Sequence, residues 1–126
     1  AVIAYLCNNI VKIGDFGMAT ISNNYEYTSS IGSELYRDKY ISYVVPEIDI
    51  YSFGIILFEL NYIFKTNTER IHILKDLHFN LPKKMVNNLN HINIIEHCIC
   101  SEVENRFNIN TILECLENND KQKLLI

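Results

Sequence analysis

Residues 50–64 carry apolar side chains on nearly every side of a helix, and this run most constrains how the chain can fold. Its apolar members are Ile50, Phe53, Ile55, Ile56, Leu57, Phe58, Leu60, Tyr62, Ile63 and Phe64. A helix that is apolar all round is buried either in a protein core or in a membrane. Glu59 interrupts the run, and the run is short for a membrane span. The sequence therefore predicts a central core helix.

Three more helices are predicted after this run, because apolar residues recur there at helical spacing. They cover residues 68–77, residues 85–100, and a last helix that starts near 108–111. Thr111 with Glu114 predicts a capping box at that start, and the polar tail 118–123 is expected to fray. Residues 10–13 form the one predicted strand. The fold class is mainly α with a short β remnant.

Composition limits the class of protein further. The 126 residues fit one domain, no linker divides them, and 48% hydrophobic content is typical of a globular chain. The net charge of −4 argues against a nucleic-acid surface. No basic stretch precedes an apolar core at the N-terminus, so no signal peptide is expected, and no run is apolar enough for a membrane segment.

The cysteines leave two interpretations open. Cys98 and Cys100 lie two residues apart, near His97 and His91, so a metal site is one interpretation. The other places them on or beside the apolar face of a helix. We favour the second, because zinc ligands usually come in pairs at recognised spacings, and reduced thiols fit a cytosolic type of protein.

Two motifs and a late arginine indicate the chemistry. Asp15-Phe16-Gly17 follows the predicted strand, and Asp49-x-x-Ser52-x-Gly54 opens the apolar helix. Arg106 follows much later in the chain. The order and approximate spacing of these residues resemble the C-terminal half of a protein kinase, so the fold implied is a partial kinase C-terminal lobe.

The resemblance assigns a role to each motif residue. Asp15 would hold the Mg²⁺ on the ATP phosphates, Phe16 would report active or inactive geometry, and Gly17 would permit the backbone turn. Asp49 is expected to be buried at the helix start, where it would organise the catalytic loop from below. Arg106 would latch the lobe.

The segment that follows the first motif resembles a kinase activation segment. It covers residues 15–47, and Thr28, Ser29 and Ser30 are its candidate phosphorylation sites. Ser33 takes the threonine position of a G-T-x-x-Y step that ends at Tyr36. For any single hydroxyl, an ordinary solvated loop position is the alternative.

The partner of Arg106 stays open at the sequence level. Pro46-Glu47 resembles the end of an A-P-E motif, but Glu47 lies too close to Asp49. Counting from Tyr36 instead places that motif at residues 38–40, where it is absent. A buried guanidinium needs pairing, so we expect Glu47 or another nearby carboxylate to serve.

A longer pattern narrows the resemblance. Residues 57–64, 66–71, 74–77 and 79–82 look like the F-E-L-x-Y-P-F…T-x-x-E-R…L-x-x-L…F-P pattern of the kinases that phosphorylate the alpha subunit of translation initiation factor 2. The stress-responsive endoplasmic-reticulum branch is the closest likeness. The family docks its substrate on the helix that begins here, which implies docking roles for Thr66 and Glu69. A solvated helix start would select the same two residues.

The chain lacks several kinase motifs. No Gly-rich loop, V-A-I-K lysine or H-R-D catalytic loop occurs in the 126 residues. We therefore expect no phosphoryl transfer by this chain alone and treat the N-lobe portion of a kinase as a missing partner. As a partial kinase domain, residues 1–126 divide into the activation segment, a helical lobe at 48–117 and a frayed tail at 118–126.

Three function classes follow. The resemblance implies ATP- and Mg²⁺-dependent transfer of a phosphoryl group to serine or threonine of the initiation-factor alpha subunit, in the cytoplasm, regulating translation under stress. The first alternative is a catalytically inactive, pseudokinase-like interaction module. The second is an ordinary helical protein with a fortuitous D-F-G, which the Asp49 motif disfavours. An H-R-D-x-x-x-x-N run and a V-A-I-K lysine upstream of Ala1 would favour the enzyme.

Overall fold

The computed structural model describes residues 3–14, 16–18, 34–86 and 88–124. Within them, strands β1 (Ile3–Cys7) and β2 (Ile10–Gly14) precede helices α1 (Glu47–Asn61), α2 (Asn67–Asp76), α3 (Leu89–Cys98) and α4 (Ile109–Leu124). Short 3-10 turns cover Phe16–Met18, Lys83–Met85 and Val103–Asn105. The predicted mainly α fold is confirmed. No helix in this described part is long and apolar enough to cross a membrane.

The β portion is a hairpin. β1 and β2 pair antiparallel, with Ile3 opposite Gly14 and Cys7 opposite Ile10. Asn8 and Asn9 join them at φ 50° and 63°, the left-handed conformation that two-residue hairpin loops require and that asparagine tolerates. The sequence predicted one strand here, because only the second has an apolar pattern leading to the D-F-G motif.

Helix α1 lies at the centre of the core, but its bounds differ from the prediction. It begins at Glu47, directly after Pro46, and ends at Asn61. Tyr62 is extended, and its ring stacks on Phe58 with centroids 5.1 Å apart. Because Phe64 also packs its ring edge against Phe58, aromatic packing holds the chain beyond the helix end close to α1.

One side of α1 is buried and another is open. Tyr51, Ile55 and Phe58 are at most 1% exposed. Ile56 and Leu60 lie four residues apart on α1 and are exposed, Leu60 to 78%, and beyond the helix end Ile63 is 90% exposed. The expectation that the apolar run is buried all round is therefore wrong for this side of the described lobe.

Helices α1 and α3 approach each other closely at Gly54. A Cβ atom at position 54 would lie 2.6 Å from Cys98 Cβ and 2.9 Å from Ile99 Cγ2, closer than carbon atoms pack. Glycine is required at this crossing for that reason. The buried core around it also contains Leu57, Leu74, Leu77, Val86, Ile92, Ile94, Ile95 and Ile112.

Side-chain caps set the starts of the last two helices. Asn88 Oδ1 accepts from the backbone N–H of Asn90 at 3.0 Å, so α3 starts at Leu89 and the predicted start at 85 is wrong. Asn108 Oδ1 accepts from Thr111 N at 2.9 Å and takes the role predicted for Thr111 and Glu114. Helix α4 continues to Leu124 through residues 118–123, and the predicted fraying of this stretch stays a prediction.

A buried ion pair fixes residues 34–41 onto the helices. Both guanidinium nitrogens Nη1 and Nη2 of Arg106 donate to the Asp38 carboxylate, the latter to Oδ1 at 3.2 Å. Both side chains are 0% exposed. The partner of Arg106 is thus Asp38, at the place where the A-P-E motif is absent.

The rest of the guanidinium is also satisfied. Arg106 Nε donates to the Cys100 carbonyl at 2.8 Å, and Nη1 donates to the Glu47 carbonyl at 3.0 Å. Glu47 therefore contributes its main-chain oxygen to Arg106. The guanidinium carbon lies 5.3 Å from the Tyr51 ring centroid, within reach of a cation–π contact.

We predict that Asp38→Asn lowers the free energy of unfolding by about 3 kcal/mol, since it leaves the buried Arg106 charge without its counter-ion. Urea denaturation followed by circular dichroism measures the change. Glu34→Gln is the matched control, because Glu34 is exposed and 3.9 Å from Lys75, and a change within about 0.5 kcal/mol is expected there. Equal midpoints for both variants would contradict the prediction.

Candidate functional site

The D-F-G motif lies where the hairpin ends. β2 finishes at Gly14, and Phe16–Met18 forms a 3-10 turn in which Phe16 is 62% exposed. Asp15 lies outside the described residues. The candidate phosphorylation sites Thr28, Ser29, Ser30 and Ser33 also lie outside them. The roles predicted for these residues stay predictions.

The described residues contain no group of three or more His, Cys, Asp or Glu side chains that could hold a metal ion. Cys98 is buried in α3, and burial raises the pKa of its thiol to about 12, against a smaller lowering by Arg106. Cys98 is therefore a protonated core side chain. The residue that the kinase resemblance assigns to Mg²⁺ is Asp15, which lies outside the described residues.

Asp49 occupies the first turn of α1, as the motif predicts, but its side chain is exposed. Partial desolvation against the helix still raises the pKa of its carboxyl. The expectation of a buried Asp49 is wrong for the described lobe. The donors expected for it belong to a catalytic loop that these 126 residues do not contain, so its organising role stays a prediction.

Three polar side chains, Tyr36, Glu59 and Arg70, form what we call the Tyr36 cluster. Arg70 Nε lies 2.9 Å from Glu59 Oε2, and Nη2 lies 3.3 Å from Oε1. The same Nη2 donates to the Tyr36 hydroxyl at 2.6 Å. Burial, and then the Glu59 carboxylate, raise the pKa of Tyr36. The cluster joins the end of the activation segment to α1 and α2.

A second contact region lies at the C-terminal end of α2. Lys39 Nζ donates to the Lys75 carbonyl at 3.1 Å, and the Tyr40 ring packs edge-on to His78 with centroids 5.7 Å apart. His78 Nδ1 is buried and makes no hydrogen bond within the described part of the chain. Desolvation, and then the charge of Lys39, lower the pKa of His78.

Thr66 and Glu69 form the start of α2. Thr66 Oγ1 accepts from Glu69 N at 3.1 Å, and Glu69 Oε2 accepts from Lys65 N at 2.7 Å. Both side chains thus satisfy backbone groups in a reciprocal cap. Helix capping alone explains why Thr66 and Glu69 occur at these positions. Docking of a partner through them stays a proposal.

Neither the choice of Asp38 as the partner of Arg106 nor the Tyr36 cluster was predicted from the sequence. A signal for the cluster was present, because Glu59 is a charge inside an otherwise apolar helix and such a charge needs a partner. Arg70 was already part of the T-x-x-E-R pattern. For Arg106 the sequence predicted a carboxylate partner, Glu47 or another nearby, but did not identify Asp38, which lies 68 residues away.

We predict that acid destabilises the protein through His78. Its folded-state pKa lies below the ordinary value of 6.5, so the unfolded chain binds the proton more readily. The free energy of unfolding should therefore fall as the pH drops below about 6.5 and level off below the folded-state pKa.

The test is urea denaturation of wild type and His78→Phe at a series of pH values. His78→Phe keeps an aromatic ring against Tyr40 but cannot titrate, so it should lose part of the acid dependence. His72→Gln, an exposed histidine on α2, serves as the control. An unchanged acid dependence in His78→Phe would contradict the prediction.

For the start of α2 we predict that Thr66→Ala lowers the free energy of unfolding by about 1 kcal/mol, the usual loss when a helix N-cap is removed. Thr66→Ser keeps the hydroxyl acceptor and should remain close to wild type. Thermal and urea denaturation measure both. A Thr66→Ser variant as unstable as Thr66→Ala would show that the cap is not the cause.

Comparison with known proteins agrees with this geometry. The protein kinase domain model matches residues 3–117. Eukaryotic translation initiation factor 2-alpha kinase 3 of Bos taurus is 33% identical over 92 residues, which are 60% of this chain and 8% of that protein. The eIF-2-alpha kinase GCN2 of Schizosaccharomyces pombe is 36% identical over 89 residues, 53% of this chain and 6% of that protein.

A third relative extends the match along the chain. The interferon-induced, double-stranded RNA-activated protein kinase of Rattus norvegicus is 29% identical over 113 residues, 84% of this chain and 22% of that protein. The chain thus spans less than a quarter of these relatives. The predicted resemblance to a partial kinase of the initiation-factor-2-alpha group is confirmed. With the family model covering most of its residues, the chain belongs to the protein kinase domain family.

Proposed function

We propose that this chain forms the helical lobe of a serine/threonine kinase that acts on the alpha subunit of translation initiation factor 2. One observation carries the proposal. The buried pair of Asp38 and Arg106 fixes the end of the activation segment onto the helices, even though the A-P-E motif is absent. This attachment supports the proposal, because it holds residue 38 of the activation segment against the helices through a carboxylate from outside the A-P-E motif.

The choice of substrate is supported by sequence. The relatives from Bos taurus and Schizosaccharomyces pombe are named as kinases of this alpha subunit. The pattern of residues 57–82, including Thr66 and Glu69, resembles the same group. On this proposal the protein acts in the cytoplasm and regulates translation under stress.

ATP and Mg²⁺ belong to the proposal as well. A bound Mg²⁺ would neutralise charge that develops on the transferred phosphoryl group. Asp15 would hold the ion, since carboxylate oxygens are the ligands that Mg²⁺ prefers. The turn at Phe16 and Gly17 would direct the chain away from the phosphates towards the activation segment.

A non-catalytic interaction module is the alternative. It is favoured by the exposed Asp49, whose carboxylate makes no hydrogen bond that the described residues show. Sequencing the complete transcript separates the two. An H-R-D-x-x-x-x-N run and a V-A-I-K lysine in the same reading frame favour the kinase, and a complete reading frame without them favours the module.

We predict that the 126-residue protein binds the isolated alpha subunit but transfers no phosphate to it. Calorimetric titration measures binding, and radiolabelled ATP measures transfer. Binding should survive in Asp15→Asn, because that change affects only the proposed magnesium ligand. Absence of binding in wild type would reject the proposed substrate. Transfer that disappears in Asp15→Asn would show instead that the chain is active alone.

A further inference from the structure

One guanidinium joins three parts of the chain that are distant in sequence. Arg70 extends from α2, pairs with Glu59 of α1, and donates to the Tyr36 hydroxyl within the activation segment. The Arg70 and Glu59 side chains are 28% and 20% exposed, so water screens this pair only in part. The contact is more than a surface ion pair, because a third element depends on it.

Both the backbone carbonyl and the side-chain hydroxyl of Tyr36 accept hydrogen bonds. Its carbonyl oxygen accepts from Ser52 Oγ of α1 at 2.7 Å, while its hydroxyl accepts from Arg70 at 2.6 Å. The residue therefore spans from α1 to α2. A shift of Tyr36 breaks one of these hydrogen bonds unless the helices shift with it.

The same stretch is also attached at the far end of α2. Lys39 Nζ donates to the carbonyl oxygen of Lys75, in the last turn of that helix. From Arg70 to Lys75 the helix rises about 7.5 Å at ~1.5 Å per residue. Residues 36–39 thus run beside α2 and contact it at two points, Arg70 near its start and Lys75 near its end.

We propose that Arg70 is a positioning residue that holds the end of the activation segment against α2. Conformational ordering of residues 34–37 and the binding of a partner to α2 then depend on each other. The partner half of this inference rests on the proposed function. The outer side of α2 is exposed and offers Thr68, Ile71, His72 and Lys75. A partner that orders α2 orders residues 34–37 through Arg70, and the reverse holds by linkage.

Arginine suits this position for a geometric reason. Its planar fork binds a carboxylate through two nitrogens and still has an N–H for a third acceptor. A lysine has a single nitrogen and cannot reproduce the contacts to Glu59 and Tyr36 in this geometry. Tyr36→Phe removes only the hydroxyl, so it breaks the link to the segment and leaves the ion pair of α1 and α2 intact.

The first experiment uses the free protein. Hydrogen exchange is measured in wild type, Tyr36→Phe, Arg70→Met and the double variant. Exchange at the amides of residues 34–37 should speed up about fivefold in Tyr36→Phe, the size expected from one lost hydrogen bond, while exchange within α2 stays unchanged. At residues 34–37 the double variant should match Arg70→Met, because Arg70→Met already removes the link.

The second experiment adds the isolated alpha subunit. Its binding should slow exchange at residues 34–37 in wild type, and Tyr36→Phe should weaken its affinity several-fold. Tyr43→Phe is the matched control, since Tyr43 is an exposed tyrosine on the same stretch of chain. It loses a hydroxyl without touching the cluster, and wild-type behaviour is expected of it.

The outcomes separate this inference from the proposed function. If Tyr36→Phe exchanges and binds like Tyr43→Phe, Arg70 has no positioning role, and the proposed substrate is unaffected. If wild type does not bind the alpha subunit, the proposed function and the partner half of the inference fail together. The exchange data on the free protein then still decide whether Arg70 positions residues 34–37.

Discussion

The buried pair between Asp38 and Arg106 is the interaction on which the rest of the described structure depends. Taking both charges out of water is costly, and the cost is met only because every part of the guanidinium finds a partner. Those partners come from the end of the activation segment, the start of α1 and the turn between α3 and α4. One side chain therefore links the activation segment to helices that already share an apolar core. The neighbouring attachments of Tyr36 and Lys39 act on a segment already placed by this pair.

Much of the fold was predictable because it depends on local pattern. Helical spacing located α2 closely and identified four helices, and the motif at Asp49 placed the first turn of α1. The errors occurred where short side chains or aromatic packing decide an end. Asn88 and Asn108 start their helices by capping, and the stacking of Tyr62 on Phe58 ends α1 early. The first and last residues of these helices are thus determined by single contacts. Hydrophobic periodicity is read over a window of many residues and does not detect them.

Less of the candidate site than of the fold was predictable from the sequence. The kinase motifs gave the order of the activation segment and the helices along the chain. The contacts between these elements, however, come from residues outside those motifs. Asp38 replaces a glutamate that the motif would supply two residues later, and a shorter side chain from another position reaches the same guanidinium. Thr66 and Glu69 illustrate the opposite case, since their pattern is explained by helix capping before any partner is considered. Spacing identifies the type of helix start, but it does not say what else the residues bind.

The close approach at Gly54 has a consequence beyond local packing. The residues it touches, Cys98 and Ile99, end helix α3, and the carbonyl oxygen of the next residue, Cys100, accepts from Arg106 Nε. The distance between α1 and α3 therefore fixes where the guanidinium sits. A side chain at position 54 would push the end of α3 outward and carry the arginine away from Asp38, although neither charged residue had changed. The absence of a Cβ atom at position 54 thus lets the backbones of α1 and α3 come close together. The alignment of the ion pair depends on that short distance.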